Sequence, residues 1–174
     1  GATMSLLTDA GTAARDAREC AQRLGFEHVV FDFHDTFERE VVSRFICAYE
    51  NGLTPNPCIY CNRYIKFSAL YAQARQLGCE FIATGHYARI EQCDGRYILK
   101  KALDESKDQS YVLYSLSQQT LAHTLLPLGN LHKETVRKIA DKLGFANANK
   151  PDSQDICFVP DGDYAAFIEK YTKK

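Results

Sequence analysis

The sequence predicts an α/β protein in which a parallel-sheet domain is followed by a small, mostly helical domain. Three observations lead to this fold class. Short apolar strand patterns alternate with helical patterns of about ten to fifteen residues, which is typical of the crossover units in parallel sheets. After residue 87 a hairpin replaces this alternation, and beyond residue 107 the apolar spacing is mostly helical. Residues 100–107 form a charged connector, so we place the domains at residues 1–104 and 105–174.

Three helices and two strands are predicted in the first domain. The helical patterns stop at or near a glycine, the usual residue at a helix C-terminus, and the strand patterns are short apolar runs. In chain order the elements are the helix Thr12–Leu24, the strand Val29–Phe33, the helices Phe37–Tyr49 and Ile65–Leu77, and the strand Phe81–Thr84. Because ligands bind at the carboxyl ends of parallel strands, a site is expected in the connections, at the cysteine loop of Cys58 and Cys61 and at Gly85 and His86.

The second half of the chain begins with a hairpin and continues with helices. Two strand patterns flank Asp94 and Gly95, a pair that favours a tight hairpin turn. Helical spacing of apolar residues then predicts helices over Ser117–Leu126, Lys133–Leu143 and Tyr164–Tyr171.

Composition narrows the expected classes of protein. The net charge of −1 gives no overall attraction to nucleic acid or to an anionic membrane. Apolar runs are too short to cross a bilayer, and no signal sequence opens the chain. Seven cysteines, an odd number at scattered positions, are more typical of a reducing cytosol than of a secreted disulfide framework. We therefore expect a cytoplasmic protein with no membrane partner.

Three of the seven cysteines are candidates for chemistry. Cys58 and Cys61 form a C-x-x-C next to two prolines, and Cys157 lies far away in the chain. The C-x-x-C spacing is equally typical of a redox pair and of half a metal site. Cys93 is expected to be an exposed thiol at the hairpin tip. The others are expected to be small buried or half-buried hydrophobes: Cys20, Cys47 and Cys79.

Several segments resemble the MnmA-type tRNA-specific 2-thiouridylases, in family order along nearly the whole chain. They are T-P-N-P-C-x-x-C-N at 54–62, I-K-F at 65–67, A-T-G-H-Y-A-R at 83–89, K-D-Q-S-Y at 107–111, P-L-G at 127–129, V-R-x-I-A at 136–140 and D-S-Q-D-I-C-F at 152–158. Each is weak alone, but the ordered set is not expected by chance. The resemblance implies an enzyme that uses ATP with Mg to replace the 2-oxygen of the wobble uridine of tRNA with sulfur.

The chain also departs from that family at both ends. The family begins with a glycine-rich S-G-G-x-D-S loop that holds the pyrophosphate of ATP, and it ends with a β-barrel. Neither is found here, and residues 1–4 resemble the family's second strand. The resemblance therefore implies a nucleotide-hydrolase-like domain of the ATP-pyrophosphatase type, truncated with its phosphate loop absent, over residues 1–104. Residues 105–174 resemble the helical tRNA-binding central domain. Since such a loop is the main phosphate contact, we expect the parent protein to be the enzyme and this piece to be inactive.

The resemblance gives catalytic roles to Cys61 and Cys157. Adenylation turns the uridine 2-oxygen into AMP, a good leaving group, and a sulfur nucleophile then reaches the same carbon. Cys157 would carry a persulfide delivered by a sulfur-relay protein or a cysteine desulfurase. Cys61 would then attack the persulfide, freeing sulfide or closing a disulfide bond. Persulfide chemistry is the preferred interpretation. With cysteine at 58, a [4Fe–4S] cluster held by Cys58, Cys61 and Cys157 is an alternative, and a zinc site completed by His86 is a third.

The remaining site residues also follow from the resemblance. Gly85 and Met4 would contact ATP. The residues that would contact tRNA are Asn56, Pro57, Cys58, His86, Lys107, Asp108 and Gln109, the first three at the flipped target base. Structural alternatives are a proline turn capping a helix at Asn56, a structural histidine at 86 and a solvated connector at 107–109. Asp152 and Asp155 would position the Cys157 loop or cap a turn. The residues that would meet phosphates or form surface ion pairs are Lys66, Arg89 and Arg137.

Two functions of other kinds stay open at this point. One is a non-catalytic RNA-binding module in which the three cysteines hold a structural metal or an Fe–S cluster. The other is an ATP pyrophosphatase that acts on a small molecule.

Overall fold

A computed structural model describes residues 1–7, 11–145 and 155–172 of the chain. The chain forms two compact units. Unit 1 consists of Gly1–Cys61 and Pro151–Lys174, and unit 2 consists of Asn62–Lys150. These units are not the predicted domains, whose boundary after residue 104 stays a prediction.

Unit 1 contains a parallel strand pair with a helix between its strands. Strands β1 (Ala2–Ser5) and β2 (Val29–Asp32) pair in parallel, with Ala2 opposite Val29 and Ser5 opposite Asp32. Helix α1 (Gly11–Leu24) connects them, as the predicted alternation of helix and strand requires. The helix and the strand predicted here from apolar spacing are thus confirmed.

An aromatic core follows these elements in unit 1. Helix α2 (His34–Phe37) continues through a π-helical stretch (Glu38–Val42) into α3 (Ser43–Glu50), and α8 (Tyr164–Thr172) belongs to the same unit. Phe45 of α3 is fully buried, with ring centroids 5.2 Å from Phe158 and 6.4 Å from Phe167. Phe158 also packs against Phe37 at 5.6 Å. The segment after residue 155 is therefore fixed to the α2–α3 helix by its aromatic rings.

A third helical run begins in unit 1 and crosses the boundary between the units. It consists of α4 (Pro57–Tyr60), a π-helical stretch (Cys61–Ala69) and α5 (Leu70–Gln76). The sequence predicted a start at residue 65. The earlier start arises because Asn56 caps the helix and Pro57 occupies its first position, where proline is favourable.

Unit 2 contains a second parallel pair and a hairpin. Strands β3 (Ile82–Ala83) and β6 (Thr124–Leu125) pair in parallel. Strands β4 (Ala88–Cys93) and β5 (Arg96–Lys101) form the predicted antiparallel hairpin. Asp94 and Gly95 at its tip have φ of 50° and 74°, values that suit a two-residue turn.

The rest of unit 2 is built from short helices. Two 3-10 turns (Glu105–Lys107 and Ser110–Val112) precede α6 (Gln118–Ala122), and α7 (Lys133–Lys142) comes after β6. The helices predicted at 133–143 and 164–171 are confirmed at almost the same bounds.

The helix predicted over Ser117–Leu126 is wrong in its second half. Residues 124 and 125 form β6, because the Ile82 and Thr84 amides donate to the carbonyls of His123 and Leu125. Pairing with a distant strand has therefore overridden the local helical spacing. The α/β class with parallel strands is confirmed. The described strands form three separate two-stranded sheets.

Two of the predictions for minor cysteines are wrong. Cys47 and Cys79 are exposed, whereas Cys20 is half-buried and Cys93 is exposed, as expected. Cys47 lies off the buried face of α3, which is formed by Phe45 and Ile46. Cys79 directly follows the glycine that ends α5, so it lies in a surface turn.

Across the three described stretches, none of the helices combines the length and the apolar character needed to span a bilayer.

Candidate functional site

The predicted site residues are distributed over both units. Unit 1 holds Met4, Asn56, Pro57, Cys58, Cys61 and Cys157. Unit 2 holds Gly85, His86, Lys107, Asp108 and Gln109. Met4 is half-buried in β1, opposite Phe31 of β2.

Asn56 and Pro57 fix the start of the helix that carries the C-x-x-C. Asn56 is extended, and its side-chain oxygen accepts the Cys58 amide proton at 3.0 Å. Pro57 is buried at the first helical position. The helix-capping role suggested as a structural alternative is therefore present, and it fixes the orientation of the Asn56 side-chain amide.

The two cysteines of this helix lie in different environments. Cys58 is exposed in the first turn, whereas Cys61 is buried with 9% of its surface accessible. All seven cysteines of the chain are thiols. A protein or small molecule approaching from solvent therefore meets Cys58 much more readily than Cys61.

Cys157 lies on an exposed turn held by buried neighbours. The Val159 amide donates to the Ile156 carbonyl at 2.9 Å, which closes a four-residue turn around Cys157 and Phe158. Phe158 and Val159 are 7% and 1% exposed, while Cys157 is exposed. The turn thus presents a thiol to solvent on a rigid base.

Asp155 holds this turn from its other side. Its Oδ1 accepts the Ile156 amide proton at 2.8 Å and also the hydroxyl proton of Tyr164 in α8. The hydrogen bond from Tyr164, followed by that from Ile156, lowers the pKa of Asp155 below its ordinary value. Asp155 therefore anchors the Cys157 turn as a carboxylate. Asp152, the other predicted positioning residue, lies outside the described residues.

The thiols do not form a metal site in this structure. In the parts of the chain that are described, no three Cys, His, Asp or Glu side chains are grouped as metal ligands would be. The set Cys58, Cys61 and Cys157 belongs to those parts and is not gathered in this way. A three-thiolate cluster site therefore does not fit the arrangement of these residues.

In unit 2, two predicted site loops are joined by reciprocal hydrogen bonds. The Tyr87 amide donates to Oε1 of Gln109 at 3.0 Å, and the Gln109 amide donates to the Tyr87 carbonyl at 2.8 Å. Asp108 accepts the Ala102 amide proton at 2.8 Å. The segment at 107–109 is therefore fixed to the loop that follows β3, and of its three residues only Lys107 is exposed.

His86 is a buried and neutral histidine. It is 7% exposed, and burial, followed by the nearby charge of Lys66, lowers its pKa from 6.5 to about 4. Nε2 lies 3.4 Å from the Lys66 ammonium, which can only donate, so Nε2 accepts. The proton is then on Nδ1, which donates to Oγ1 of Thr84 at 2.8 Å. Contact of His86 with tRNA stays a prediction.

This histidine makes stability depend on pH. The folded pKa lies below the unfolded pKa, so the unfolded chain binds a proton first, and stability falls as pH drops from 6.5 towards 4. Each unit of pKa difference is worth about 1.4 kcal/mol, which gives about 3 kcal/mol at the acid end. We measure the free energy of unfolding of wild type and His86→Gln with denaturant at each pH. The wild-type value minus the His86→Gln value should fall by about 3 kcal/mol as the pH drops from 6.5 towards 4. The Lys66→Met substitution removes the nearby positive charge that lowers the His86 pKa. The free energy of unfolding should then depend less steeply on pH than in wild type. A wild-type-minus-H86Q difference that does not change with pH would show that His86 titrates normally.

Three residues that position the site loops were not identified from the sequence. Asn62, 1% exposed, donates from Nδ2 to the Val112 carbonyl at 3.1 Å. Asp104 accepts the Lys133 amide proton at 2.9 Å and so caps α7 from outside the helix. A β-carbon on Gly129 would lie 1.9 Å from the Ala88 carbonyl oxygen. Asn62 and Gly129 lie within the segments that carry the family resemblance, so the sequence did mark these positions. Their structural roles could not be predicted, because each depends on a partner that is distant in sequence.

Comparison with known proteins gives consistent matches. The family model described as tRNA methyl transferase HUP domain matches residues 6–161. The chain is 51% identical over 165 residues to a protein of Clostridioides difficile named tRNA-specific 2-thiouridylase MnmA, covering 94% of this chain and 46% of that protein. It is 53% identical over 161 residues to the protein of the same name from Symbiobacterium thermophilum, covering 91% and 41%. The Moorella thermoacetica protein of that name is 52% identical over 164 residues, covering 93% and 46%. The chain thus spans less than half the length of these relatives.

Proposed function

The chain belongs to the tRNA methyl transferase HUP domain family, and we propose that its protein transfers sulfur to C2 of the wobble uridine of tRNA after ATP-dependent adenylation. The family description mentions methyl transfer, whereas the relatives are named 2-thiouridylases. The observation that favours sulfur chemistry is the Cys157 thiol, exposed on a turn that buried residues hold in place. Such a turn suits a thiol that must be loaded by another protein.

Under this proposal the two cysteines act in sequence. A sulfur-relay protein or a cysteine desulfurase loads the exposed Cys157 as a persulfide, while the buried Cys61 is protected from the same loading. The terminal sulfur attacks C2 of the adenylated uridine, and AMP leaves with the former 2-oxygen. The Cys61 thiolate then attacks Sγ of Cys157. A Cys61–Cys157 disulfide forms, the sulfur stays on C2, and a dithiol reductant restores both thiols. Because Cys61 is buried, this second attack requires a local opening.

The other residues receive roles that fit their surroundings. Asn56 uses its side-chain oxygen in the helix cap, so its amide NH₂ is the group that can donate to a carbonyl of the flipped base. Gly85 and Met4 are the proposed ATP contacts, with Mg accompanying the phosphates. The proposed tRNA contacts are Asn56, Pro57, Cys58, His86, Lys107, Asp108 and Gln109. We place the enzyme in the cytoplasm. Within this chain we assign a nucleotide-hydrolase-like domain followed by a small helical tRNA-binding domain.

A chimeric enzyme tests the proposed function. The segment of the C. difficile relative that this chain matches is replaced by the chain, and the product is expressed in a bacterium that lacks its own 2-thiouridylase. We expect 2-thiouridine to reappear in tRNA, detected by retardation in a mercury-containing gel. A soluble, folded chimera that produces no 2-thiouridine would contradict the proposal.

A metal assay separates the proposal from its main alternatives. Anaerobic purification of the chimera, followed by iron and zinc analysis, should give a protein without stoichiometric metal that still thiolates tRNA with persulfide as donor. Iron that is lost in Cys58→Ser together with thiolation would favour the cluster mechanism instead. Bound metal combined with RNA binding and no thiolation would favour the non-catalytic module.

A further inference from the structure

Unit 2 carries positive charge that the whole-chain value conceals. Residues 62–150 contain thirteen Lys and Arg against eight Asp and Glu, a net charge of +5, whereas the rest of the chain has eight against fourteen, a net charge of −6. A charge asymmetry of this size within one chain is typical of proteins that direct one region towards nucleic acid. Unit 2 is therefore the part in which an RNA surface is expected.

Two tyrosines on unit 2 are unusually exposed. Tyr111 and Tyr114 are 61% and 69% exposed, the highest values for aromatic side chains in the described part of the chain. Exposed rings of this size are costly to hydrate and are common where a partner covers them. No hydrogen bond of either hydroxyl is found within the described residues.

The backbone below the two rings is rigid. The amides of Val112, Leu113 and Leu116 donate to the carbonyls of residues 109, 110 and 113, which closes hydrogen-bonded turns on both sides of Tyr114. Val112 and Leu113, between the rings, are 4% and 0% exposed. The rings thus project from an anchored segment, so binding would not have to order it.

Tyr114 lines a groove on unit 2 together with charged, aromatic and apolar residues of the hairpin, including the acidic Asp94 at its tip. The groove has a volume of about 530 Å³ and is also lined by Arg96 and Tyr97 of β5. Gln118 fixes that strand, since its side chain accepts the Tyr97 amide proton and donates to the Tyr97 carbonyl, both at 2.8 Å. Arg96 forms no ion pair within the described residues, so its guanidinium is available to a phosphate or a base.

We propose that Tyr111 and Tyr114 form a stacking surface for unpaired nucleotides of the RNA substrate, with Arg96 beside the groove as a phosphate or base contact. This inference rests on the proposed function, because it assumes that the substrate is RNA. Aromatic rings stack on any base, and the positive charge of unit 2 attracts the phosphates. The surface lies next in sequence to the predicted tRNA contacts at 107–109 and extends them.

Tryptophan substitution gives a local readout, because the chain contains no tryptophan. In the full 174-residue chain, Tyr111→Trp and Tyr114→Trp each introduce a single reporter. We expect its fluorescence to be quenched by an RNA stem–loop with an unpaired loop, and not by a fully paired RNA of equal length. Quenching by both RNAs alike would show contact without stacking and would overturn the proposal.

Affinity measurements complete the test. By anisotropy of the labelled stem–loop, Tyr111→Leu and Tyr114→Leu should each weaken binding by about 5- to 100-fold, with the phenylalanine variants close to wild type. Higher salt should weaken all variants while the ratio of wild type to leucine variant persists, since stacking carries no charge. Unchanged affinity in both leucine variants would overturn the stacking surface.

The same substitutions in the thiolating chimera separate the stacking proposal from the proposed function. If the wild-type chimera thiolates and the leucine variants match it in KM for tRNA, the stacking surface is wrong and the proposed function stands. If the wild-type chimera does not thiolate, the proposed function itself is wrong.

Discussion

Replacement of Cys157 by serine in the chimeric enzyme is expected to lower the rate of 2-thiouridine formation on the order of 10³-fold or more. A serine hydroxyl cannot carry a transferable sulfur, so loss of the thiol removes the proposed carrier itself. The folded state should be little affected, because Cys157 is exposed and its turn is held by the buried neighbours Phe158 and Val159. The measurement is the initial rate of thiolation, with thermal unfolding as the check on folding.

Exposed cysteines elsewhere provide matched controls for this experiment. Cys47→Ser and Cys79→Ser change thiols that are also exposed but play no part in the proposed chemistry, and they should thiolate at the wild-type rate. Cys61→Ser should also abolish turnover while still allowing Cys157 to be loaded with persulfide, which mass spectrometry detects. Thiolation that continues in Cys157→Ser would refute the catalytic assignment.

Substitution of Gly129 by alanine is expected to destabilise the protein by roughly 3 kcal/mol or more. The added β-carbon would lie 1.9 Å from the Ala88 carbonyl oxygen and 2.7 Å from the Ala88 carbonyl carbon. These are backbone atoms at the start of β4, so relief requires the loop or the hairpin to move. Urea unfolding, analysed by linear extrapolation, measures the loss.

Gly85→Ala is the control for the added methyl group. Its β-carbon would meet only Cδ1 of Leu128 at 3.7 Å, an ordinary contact, so a change below about 1 kcal/mol is expected. Equal effects at the two glycines would show that the approach of Gly129 to the hairpin is less close than the structure indicates.

Local patterns were sufficient to predict much of the fold. Helices α1, α7 and α8 and the hairpin around Asp94 and Gly95 are all specified by apolar spacing and by their terminal residues. Strand β6 was missed because its pairing with β3 connects residues about 40 positions apart. Such pairing adds no signal to the local sequence, which retains helical spacing at residues 124 and 125.

The types of residue at the candidate site could be predicted from the sequence, but the exposure and the contacts of each residue could not. The spacing of Cys58 and Cys61 does not indicate how accessible each thiol is, and only the folded chain shows that one is exposed and the other buried. Asn56 could be predicted as a helix cap, since asparagine before proline is a local signal. The positive charge of unit 2 could not be predicted without the bounds of the units. The net charge of −1 is an average over two regions of opposite sign.

The discontinuity of unit 1 has a consequence for synthesis of the protein. Phe45 leaves the ribosome more than a hundred residues before its partners Phe158 and Phe167, whereas unit 2 is a continuous segment that is translated between them. Unit 2 can therefore fold during translation, while the aromatic core of unit 1 must wait until the segment that carries Phe158 and Phe167 has been made. Cys157 precedes Phe158 by one residue, so its turn is held by a ring that packs into this core. The turn that carries this cysteine can therefore reach its folded position only after the chain has been made through α8.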